Sequence, residues 1–321
     1  MKKKVVDIGN GYTKYMIGEE NPIYKKFATK VSLATVEDIN ALGDAVHKVK
    51  FDNKDYYVGV GSQVLGQDRY YTKEYLICLL TAIALSEPSK SEISAEVENI
   101  EVVLGIGVPV GIHEFHSEKL KPYLEDLGPQ EIIVNDRKFV ITISKALVIP
   151  EGGLGNVMAE VRTGHNVVFD IGSGTYDEVE WIDGKMVNIY TSPSACNEFY
   201  KDSVRFVQKT KGNCFIKEEQ IQRVVETKVY TKTIDETLIQ NSIKRFVENM
   251  FDSVSIDKEI PLDNVYLIGG GAYMSSENVE SYLIEHFPGA KMILIEYAEY
   301  ANLIIYNRTL TWIWKRDNGG E

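Results

Sequence analysis

Two copies of one short motif hold the residues of this chain best suited to phosphate chemistry. The motif reads Asp7-Ile8-Gly9-Asn10-Gly11 near the N-terminus and Asp170-Ile171-Gly172-Ser173-Gly174 in the second half. Its glycines allow positive φ and leave backbone N–H groups accessible to an anion, while its leading aspartate suits a hydrated magnesium ion. One copy alone is also compatible with an ordinary Asx turn. Two matching copies predict a pair of loops that bind a metal-bound phosphate group.

Each copy of the motif is expected to join the two strands of a hairpin. Apolar residues enter the copies at Val5-Val6 and at Val167-Val168-Phe169, and alternating residues leave them over 12–17 and 175–181. Such runs are typical of strands that pack against a core. The two halves of the chain therefore contain the same supersecondary element.

The composition describes an acidic globular chain. Its 321 residues are about two domains' worth, and 44% of them are hydrophobic, which is enough for a core in each. The net charge of −12 disfavours direct binding to the phosphate backbone of nucleic acids. The sequence shows no secretory signal, no membrane-spanning run and no disulfide or zinc spacing among Cys78, Cys196 and Cys214. We therefore expect a cytoplasmic protein that does not itself contact nucleic acid or membrane.

Strand and helix patterns alternate along the chain and predict an α/β fold. A β-rich segment is expected over about 25–70, outside the main sheet. The first half is further predicted to contain a helix over 73–85, a buried strand over 100–108, a helix over 114–127, a hairpin over 132–143 that turns at Asn135-Asp136, and a short strand over 146–149. The second half is predicted to contain a strand over 186–190, helices over about 195–210 and 232–253, and a strand over 265–268.

Three successive glycines, Gly269, Gly270 and Gly271, follow the last of these strands and precede Ala272. Such a run lets a flat group such as adenine or ribose approach the backbone, and the next helix would begin close to phosphate. A plain strand-to-helix turn is the alternative. Because neither the P-loop pattern nor the dinucleotide glycine pattern occurs, a nucleotide site has to be assembled from both halves of the chain.

The two loops and the glycine run resemble the phosphate-1, phosphate-2 and adenosine motifs of the actin, Hsp70 and sugar-kinase superfamily, in the same order. The segments are 7–14, 170–177 and 268–272. The compact length and the segment Ile149-Pro150-Glu151-Gly152-Gly153 are most similar to the bacterial plasmid-segregation actins of the ParM and Alp type. The resemblance implies an actin-like, ribonuclease H-like fold of two duplicated domains with a nucleotide cleft between them. The implied domains are 1–160 with 297–321, including a small β-rich subdomain at 25–70, and 161–296.

The resemblance also implies roles for single residues. Asp7 and Asp170 would hold Mg²⁺ through its waters, and Lys14 would contact the β- and γ-phosphates, although a solvated lysine is the alternative. Further nucleotide contacts would come from Gly9, Asn10, Gly11, Tyr12, Thr13, Gly172, Ser173, Gly174, Thr175, Gly269, Gly270, Gly271 and Ala272. Glu151 stands where the family keeps the residue that orients or deprotonates the attacking water, a role that suits phosphoryl transfer. Capping of a helix that begins at Gly152 is an alternative or additional role for Glu151.

Three functions share this predicted architecture. The favoured one is a filament whose subunits bind and hydrolyse Mg-ATP, or Mg-GTP, and move plasmid or other DNA through a separate DNA-binding adaptor. A small-molecule kinase would need a further carboxylate as base toward a substrate hydroxyl, and no distinct motif provides one. A reactivating ATPase of the Hsp70 kind would need a peptide-binding module, for which the second half leaves no room. The sequence therefore predicts an ATPase that polymerises with copies of itself.

Overall fold

The computed structural model describes residues 1–34, 45–64, 66, 68–88, 96–154, 158–212, 214–254, 256 and 259–317. The chain divides into two units, one comprising Met1–Gly153 with Asn302–Glu321 and the other Leu154–Ala301. Each unit has its own β-sheet and its own hydrophobic core. The mixed α/β fold predicted from the alternating pattern is confirmed.

The first unit is built on a mixed sheet. Its strands are β1 (Lys2–Ile8), β2 (Tyr12–Ile17), β3 (Ile23–Ala28), β4 (Lys30–Leu33), β5 (His47–Phe51), β6 (Lys54–Val58), β7 (Ser62–Gln63), β8 (Glu98–Val108), β9 (Gln130–Val134) and β10 (Arg137–Pro150). Over the described residues they form one sheet in the order β3-β2-β1-β8-β10-β9-β5-β6-β4-β7. The β-rich segment expected outside the main sheet instead extends it, because β5 pairs with β9.

The predicted hairpin at Asn135-Asp136 is confirmed, with both turn residues at positive φ between β9 and β10. The separate strand expected over 146–149 is wrong. Strand β10 continues to Pro150 beside β8, and the pairing changes register only between Ile143 and Lys145. A β-bulge therefore lies where the sequence predicted that one strand ends and another begins.

The second unit has a smaller sheet. Its strands are β11 (His165–Ile171), β12 (Tyr176–Ile182), β13 (Lys185–Ser192), β14 (Asn264–Ile268) and β15 (Lys291–Leu294), in the order β13-β12-β11-β14-β15. The α-helices of the described residues are α1 (Lys73–Leu85), α2 (His113–Glu125), α3 (Cys196–Lys211), α4 (Glu218–Thr227), α5 (Glu236–Asp252), α6 (Ala272–His286) and α7 (Ala301–Asp317). None of these helices is both long and apolar enough to cross a membrane.

Helices cover both faces of the first sheet. Helices α1 and α2 pack on the face that carries Leu104 and Ile106 of β8. Since successive strand residues point to opposite faces, Gly105 and Gly107 lie on the other face. A Cβ on Gly107 would lie 1.7 Å from Oη of Tyr306 in α7. The two glycines therefore make room for α7 against β8.

The core of the second unit joins β11, β12 and β14 to α3, α4, α5 and α6. Helix α4 was not expected from the sequence, although Ile221, Val224 and Val225 have helical spacing and are buried. Helix α5 begins four residues later than predicted, because Asp235 caps it by accepting a hydrogen bond from Leu238 N at 3.0 Å. A ten-residue helix without a clear start signal is easily missed between two longer ones.

Candidate functional site

The first motif folds into a tight turn between β1 and β2, as predicted. Gly9 N donates a hydrogen bond to Tyr12 O over 3.0 Å, and a Cβ on Gly9 would lie 3.2 Å from that oxygen. The strand pairing places Asp7 directly opposite Lys14. Asp7 is 3% exposed and accepts a hydrogen bond from Lys14 Nζ at 2.9 Å. Lys14 is thus the counter-charge of a buried carboxylate and not a solvated lysine.

Other residues of the first loop are held by the structure around them. Gly11 O accepts a hydrogen bond from Thr29 N at 3.0 Å, and Lys26 Nζ lies 4.5 Å from the centre of the Tyr12 ring. Thr13 is fully buried, with its hydroxyl 3.0 Å from the hydroxyl of Thr29. The Thr13 side chain is therefore held within the sheet, and the predicted contact of Thr13 with a nucleotide stays a prediction.

The second motif makes the same turn between β11 and β12. Gly172 N donates to Thr175 O over 2.9 Å, and a Cβ on Gly172 would come within 2.8 Å of that oxygen. The carbonyls of Gly172 and Ser173 accept hydrogen bonds from Cys196 N and Asn197 N at 3.3 and 2.8 Å. These donors are the first two residues of α3. The loop is therefore fastened to a helix N-terminus through its carbonyl groups.

The leading aspartate of the second motif lies at the end of β11. Asp170 is 5% exposed and pairs in register with Asp177 of β12, which accepts a hydrogen bond from the hydroxyl of Thr191. Directly opposed residues of antiparallel strands lie on the same face of the sheet. Two carboxylates thus stand on one face of the second sheet, next to the glycine turn.

The glycine run leads from β14 into α6, which begins at the buried Ala272. Gly269 has a φ of +83°, and a Cβ there would lie 2.5 Å from both Asp170 Oδ1 and Ile171 O. A Cβ on Gly271 would lie 2.4 Å from Ile171 Cγ2, whereas Gly270 has no atom within 4 Å of such a Cβ. Packing against β11 thus explains two of the glycines. Gly270 is the one that faces open space.

Glu151 directly follows β10. Its N–H donates to Val108 O over 2.9 Å and so prolongs the pairing of β10 with β8. The helix expected to begin at Gly152 is wrong, because Gly152 lies in a turn with a φ of +73° and its N–H donates to Asn302 Oδ1 over 3.4 Å. Residues 155–157 lie outside the described residues. The capping role considered for Glu151 therefore loses its basis.

Two residues that the sequence did not single out lie beside the first loop. Arg69 donates from Nη1 to Asn10 Oδ1 at 2.6 Å, and its guanidinium interacts electrostatically with Glu151. Tyr75 of α1 is buried and interacts electrostatically with Glu151 and Asp7. The surroundings of the first loop thus include a buried arginine and a buried tyrosine.

Comparison with known protein families shows what the first unit is similar to. Residues 6–153 match the family model of the actin-like proteins N-terminal domain. Over these residues, close to half of the chain, it is similar to the actin-like proteins. No curated protein sequence matches it.

Solved structures extend the actin-like fold over both units. The archaeal actin homologue Ta0583, in complex with ADP, has a TM-score of 0.71 at 18% identity, covering 96% of this chain and 98% of that one. The actin-like protein Alp7A has a TM-score of 0.71 at 15% identity, covering 99% and 98%. A ParM from a 15-stranded filament of Clostridium botulinum has a TM-score of 0.67 at 16% identity, covering 96% and 99%. The predicted likeness to the ParM and Alp proteins is confirmed as a likeness of fold.

The residues of the two loops suit a magnesium-bound nucleotide. Asp7 and Asp170 each end a strand beside a glycine turn and offer carboxylate oxygens, the ligands that magnesium prefers. Nowhere in the described part of the chain do three His, Cys, Asp or Glu side chains come together as a metal cage. A magnesium ion held by either aspartate would keep waters and phosphate oxygens as its other ligands. Gly270 leaves room for a group to approach the backbone.

Proposed function

We propose that this chain is an actin-like protein that binds Mg-ATP, or Mg-GTP, hydrolyses it and assembles into filaments of its own subunits. The observation that carries the proposal is the duplicated hairpin. In each unit a nearly buried aspartate ends a strand, and the same glycine turn follows. The ADP complex of the archaeal homologue and the Clostridium filament support nucleotide binding and self-association. We assign the two units to the two actin-like domains.

The residues of the loops make different contacts with the bound nucleotide and its metal ion. The backbone of both turns contacts phosphate oxygens, Lys14 adds a positive charge at the β- and γ-phosphates, and Asp7 and Asp170 hold the metal through its waters. The bound magnesium ion neutralises charge on the phosphates. Gly270 contacts the nucleoside. Because phosphoryl transfer needs positioning more than covalent help, these contacts supply most of the catalysis.

Glu151 orients the attacking water. It lies just beyond the end of β10, where the pairing with β8 fixes its backbone. A carboxylate held in this way accepts a hydrogen bond from the water and can take its proton as the water oxygen bonds to the γ-phosphorus. The bond from that phosphorus to the β–γ bridging oxygen breaks, and the nucleoside diphosphate and phosphate leave. Loss of the carboxylate slows hydrolysis but leaves the phosphate contacts intact.

The filament grows by head-to-tail addition of subunits, since a heterologous contact that does not close into a ring gives an open helix. Nucleotide binding favours assembly, and hydrolysis loosens the contacts between subunits. With a net charge of −12, the cytoplasmic filament reaches plasmid or other DNA through a separate, DNA-binding adaptor. The cycle of nucleotide binding, assembly and hydrolysis therefore drives DNA segregation.

Light scattering and pelleting of the purified protein, with ATP, GTP, ADP or no nucleotide, test the proposal. We expect pelleting only with a nucleoside triphosphate and magnesium, accompanied by phosphate release. Glu151→Ala should slow phosphate release about 100-fold and preserve nucleotide binding and pelleting. Glu118→Ala, an exposed carboxylate on α2, is the matched control. Phosphate transfer to a sugar without any pelleting would instead identify a small-molecule kinase.

A further inference from the structure

The segment that precedes α1 is fastened to the first loop at two points. Gln63 Nε2 donates to Asn10 O at 2.5 Å, and Arg69 Nη1 donates to Asn10 Oδ1 at 2.6 Å. The backbone of Arg69 is also fixed, because its carbonyl accepts hydrogen bonds from Thr72 N at 3.0 Å and from the Thr72 hydroxyl at 2.7 Å. Thr72 in turn caps α1. The arginine is thus anchored both at its backbone and at its guanidinium.

The guanidinium of Arg69 is charged and almost completely buried. Only 4% of the residue is exposed, and burying a charge costs several kcal/mol unless neighbours compensate. Although burial opposes the charge, the neighbouring Tyr70, Tyr75 and Glu151 outweigh it and raise the pKa of Arg69. The guanidinium carbon lies 5.1 Å from the centre of the Tyr70 ring. A permanent positive charge is therefore held near Glu151.

The hydroxyl of Tyr75 is buried and forms no hydrogen bond within the described part of the chain. Tyr75 is 1% exposed, and an orphaned buried hydroxyl costs about 1–3 kcal/mol. Burial, with Tyr70, Glu151 and Asp7, raises the pKa of Tyr75 well above its usual value, so the hydroxyl keeps its proton. Such an unpaired donor in a native fold marks a position for an ordered water or a ligand atom.

We infer that Arg69 and Tyr75 are positioning residues for nucleotide hydrolysis in the first unit. Arg69 fixes the side chain of Asn10 and places its charge where it orients the carboxylate of Glu151. Tyr75 donates its hydroxyl to the water that Glu151 activates. The inference rests on the proposed function and adds two residues to it. Arg69 acts through Asn10 and Glu151 and makes no contact with the nucleotide.

A purely structural role is the competing explanation for the same contacts. Arg69 would then tie α1 to the first loop, and its loss would lower stability and nucleotide affinity together. A substitution of Tyr75 distinguishes a structural role from a role in the reaction more clearly. Because its hydroxyl has no hydrogen-bond partner in the described structure, Tyr75→Phe removes no bond within the protein and should not destabilise it. A loss of turnover in this variant would therefore report on the reaction.

The test measures kcat for phosphate release, nucleotide Kd and thermal stability in matched variants of the full chain. Arg69→Gln keeps a donor for Asn10 and removes the charge, Arg69→Lys keeps the charge, and Arg69→Ala allows rescue by added guanidinium. Arg137→Gln is the control for arginine, since Arg137 pairs with Glu98 at 2.9 Å, lies over the Phe139 ring and begins β10, at the opposite end of that strand from Glu151. Tyr123→Phe on α2 is the control for tyrosine.

We expect kcat to fall about 10- to 100-fold in Arg69→Gln and about 10-fold in Tyr75→Phe, with Kd changed less than threefold. The fall in kcat should be smaller in Arg69→Lys than in Arg69→Gln, and added guanidinium should restore part of the kcat of Arg69→Ala. Both control variants should have the kcat of the wild type. A kcat within twofold of wild type in folded Arg69→Gln and Tyr75→Phe overturns this inference and leaves the proposed function standing. Absence of hydrolysis by the wild-type protein overturns the proposed function, and the inference with it.

Discussion

The hairpin β1–β2 and the hairpin β11–β12 share their turn but differ in the strand that leaves it. The turn hydrogen bond is 3.0 Å in the first and 2.9 Å in the second. Opposite the leading aspartate, the first hairpin has Lys14 and the second has Asp177. At the next position, the first places Tyr15 in the core of its unit, whereas the second places Glu178 opposite Phe169. The turn is the same, but the residue that faces the leading aspartate is a cation in the first hairpin and an anion in the second.

This difference separates what backbone and side chains contribute. The turn geometry depends on a glycine and on a main-chain hydrogen bond, so both hairpins present their peptide groups in the same way. The strand that leaves the turn decides the charge. A lysine beside the first aspartate favours contact with phosphate, whereas paired carboxylates beside the second favour a divalent cation. We therefore expect the first loop to contribute more to phosphate binding and the second to metal binding.

The largest expected effect comes from removing the leading aspartates. Asp170→Asn should weaken binding of Mg-nucleotide about 10- to 100-fold and raise the magnesium concentration needed for binding. Asp7→Asn should have a smaller effect, because it also frees Lys14 for phosphate. Titration with a fluorescent nucleotide at several magnesium concentrations measures both. Asp136→Asn, in an exposed turn, is the control, and equal affinity of all three variants would remove the proposed division between the loops.

A second comparison concerns the residues opposite those aspartates. Lys14→Met leaves Asp7 buried without the ammonium group 2.9 Å away, and breaking such a pair should lower the free energy of unfolding by about 3 kcal/mol. Asp177→Asn keeps the size of its side chain and removes one of two neighbouring carboxylates, so it should cost less. Urea denaturation without nucleotide measures the difference. A larger loss in Asp177→Asn would show that the second hairpin depends more on its charged pair.

Tyr15 and Glu178, which follow Lys14 and Asp177, should give the two hairpins different dependences of stability on pH. Burial, and to a smaller extent Glu180, raise the pKa of Glu178 from 4.5 to about 7. Because the folded state holds this proton more tightly than the unfolded state, the stabilisation is complete below pH 4.5 and is lost as the pH rises through 7. The free energy of unfolding of Glu178→Gln should therefore match that of the wild type near pH 4.5 and exceed it by about 3 kcal/mol at pH 8.

Urea denaturation from pH 4.5 to pH 8 measures this effect, and Tyr15→Phe at the equivalent position of the first hairpin is the control. That variant should differ from the wild type by the same amount at every pH. A stability difference between Glu178→Gln and the wild type that is independent of pH would show that Glu178 does not titrate in this range. The two hairpins would then differ in packing and not in protonation.

The sequence predicted the features that depend on neighbouring residues. Both hairpins and the start of α6 after Gly271 follow from glycines, turn residues and apolar runs. The surroundings of the loops could not be predicted in this way, because Arg69 meets Asn10 across 59 residues through the pairing of distant strands. Glu178 was missed for a different reason. Its acidic side chain indicates a solvent-facing position, but the register with Phe169 turns it toward the core.

The smallest expected effect tests the shared turn itself. A Cβ on Gly172 would lie 2.8 Å from Thr175 O, closer than the Cβ atoms of real proteins come to such a neighbour, whereas a Cβ on Gly9 would lie 3.2 Å from Tyr12 O. Gly172→Ala should therefore lower the free energy of unfolding by about 1–2 kcal/mol and Gly9→Ala by less than about 1 kcal/mol. Thermal melts of the two variants, beside Gly128→Ala in an open turn at positive φ, measure the order. Equal losses in the two loops would show that the turns relax alike, and the difference between the hairpins would then lie in their charges alone.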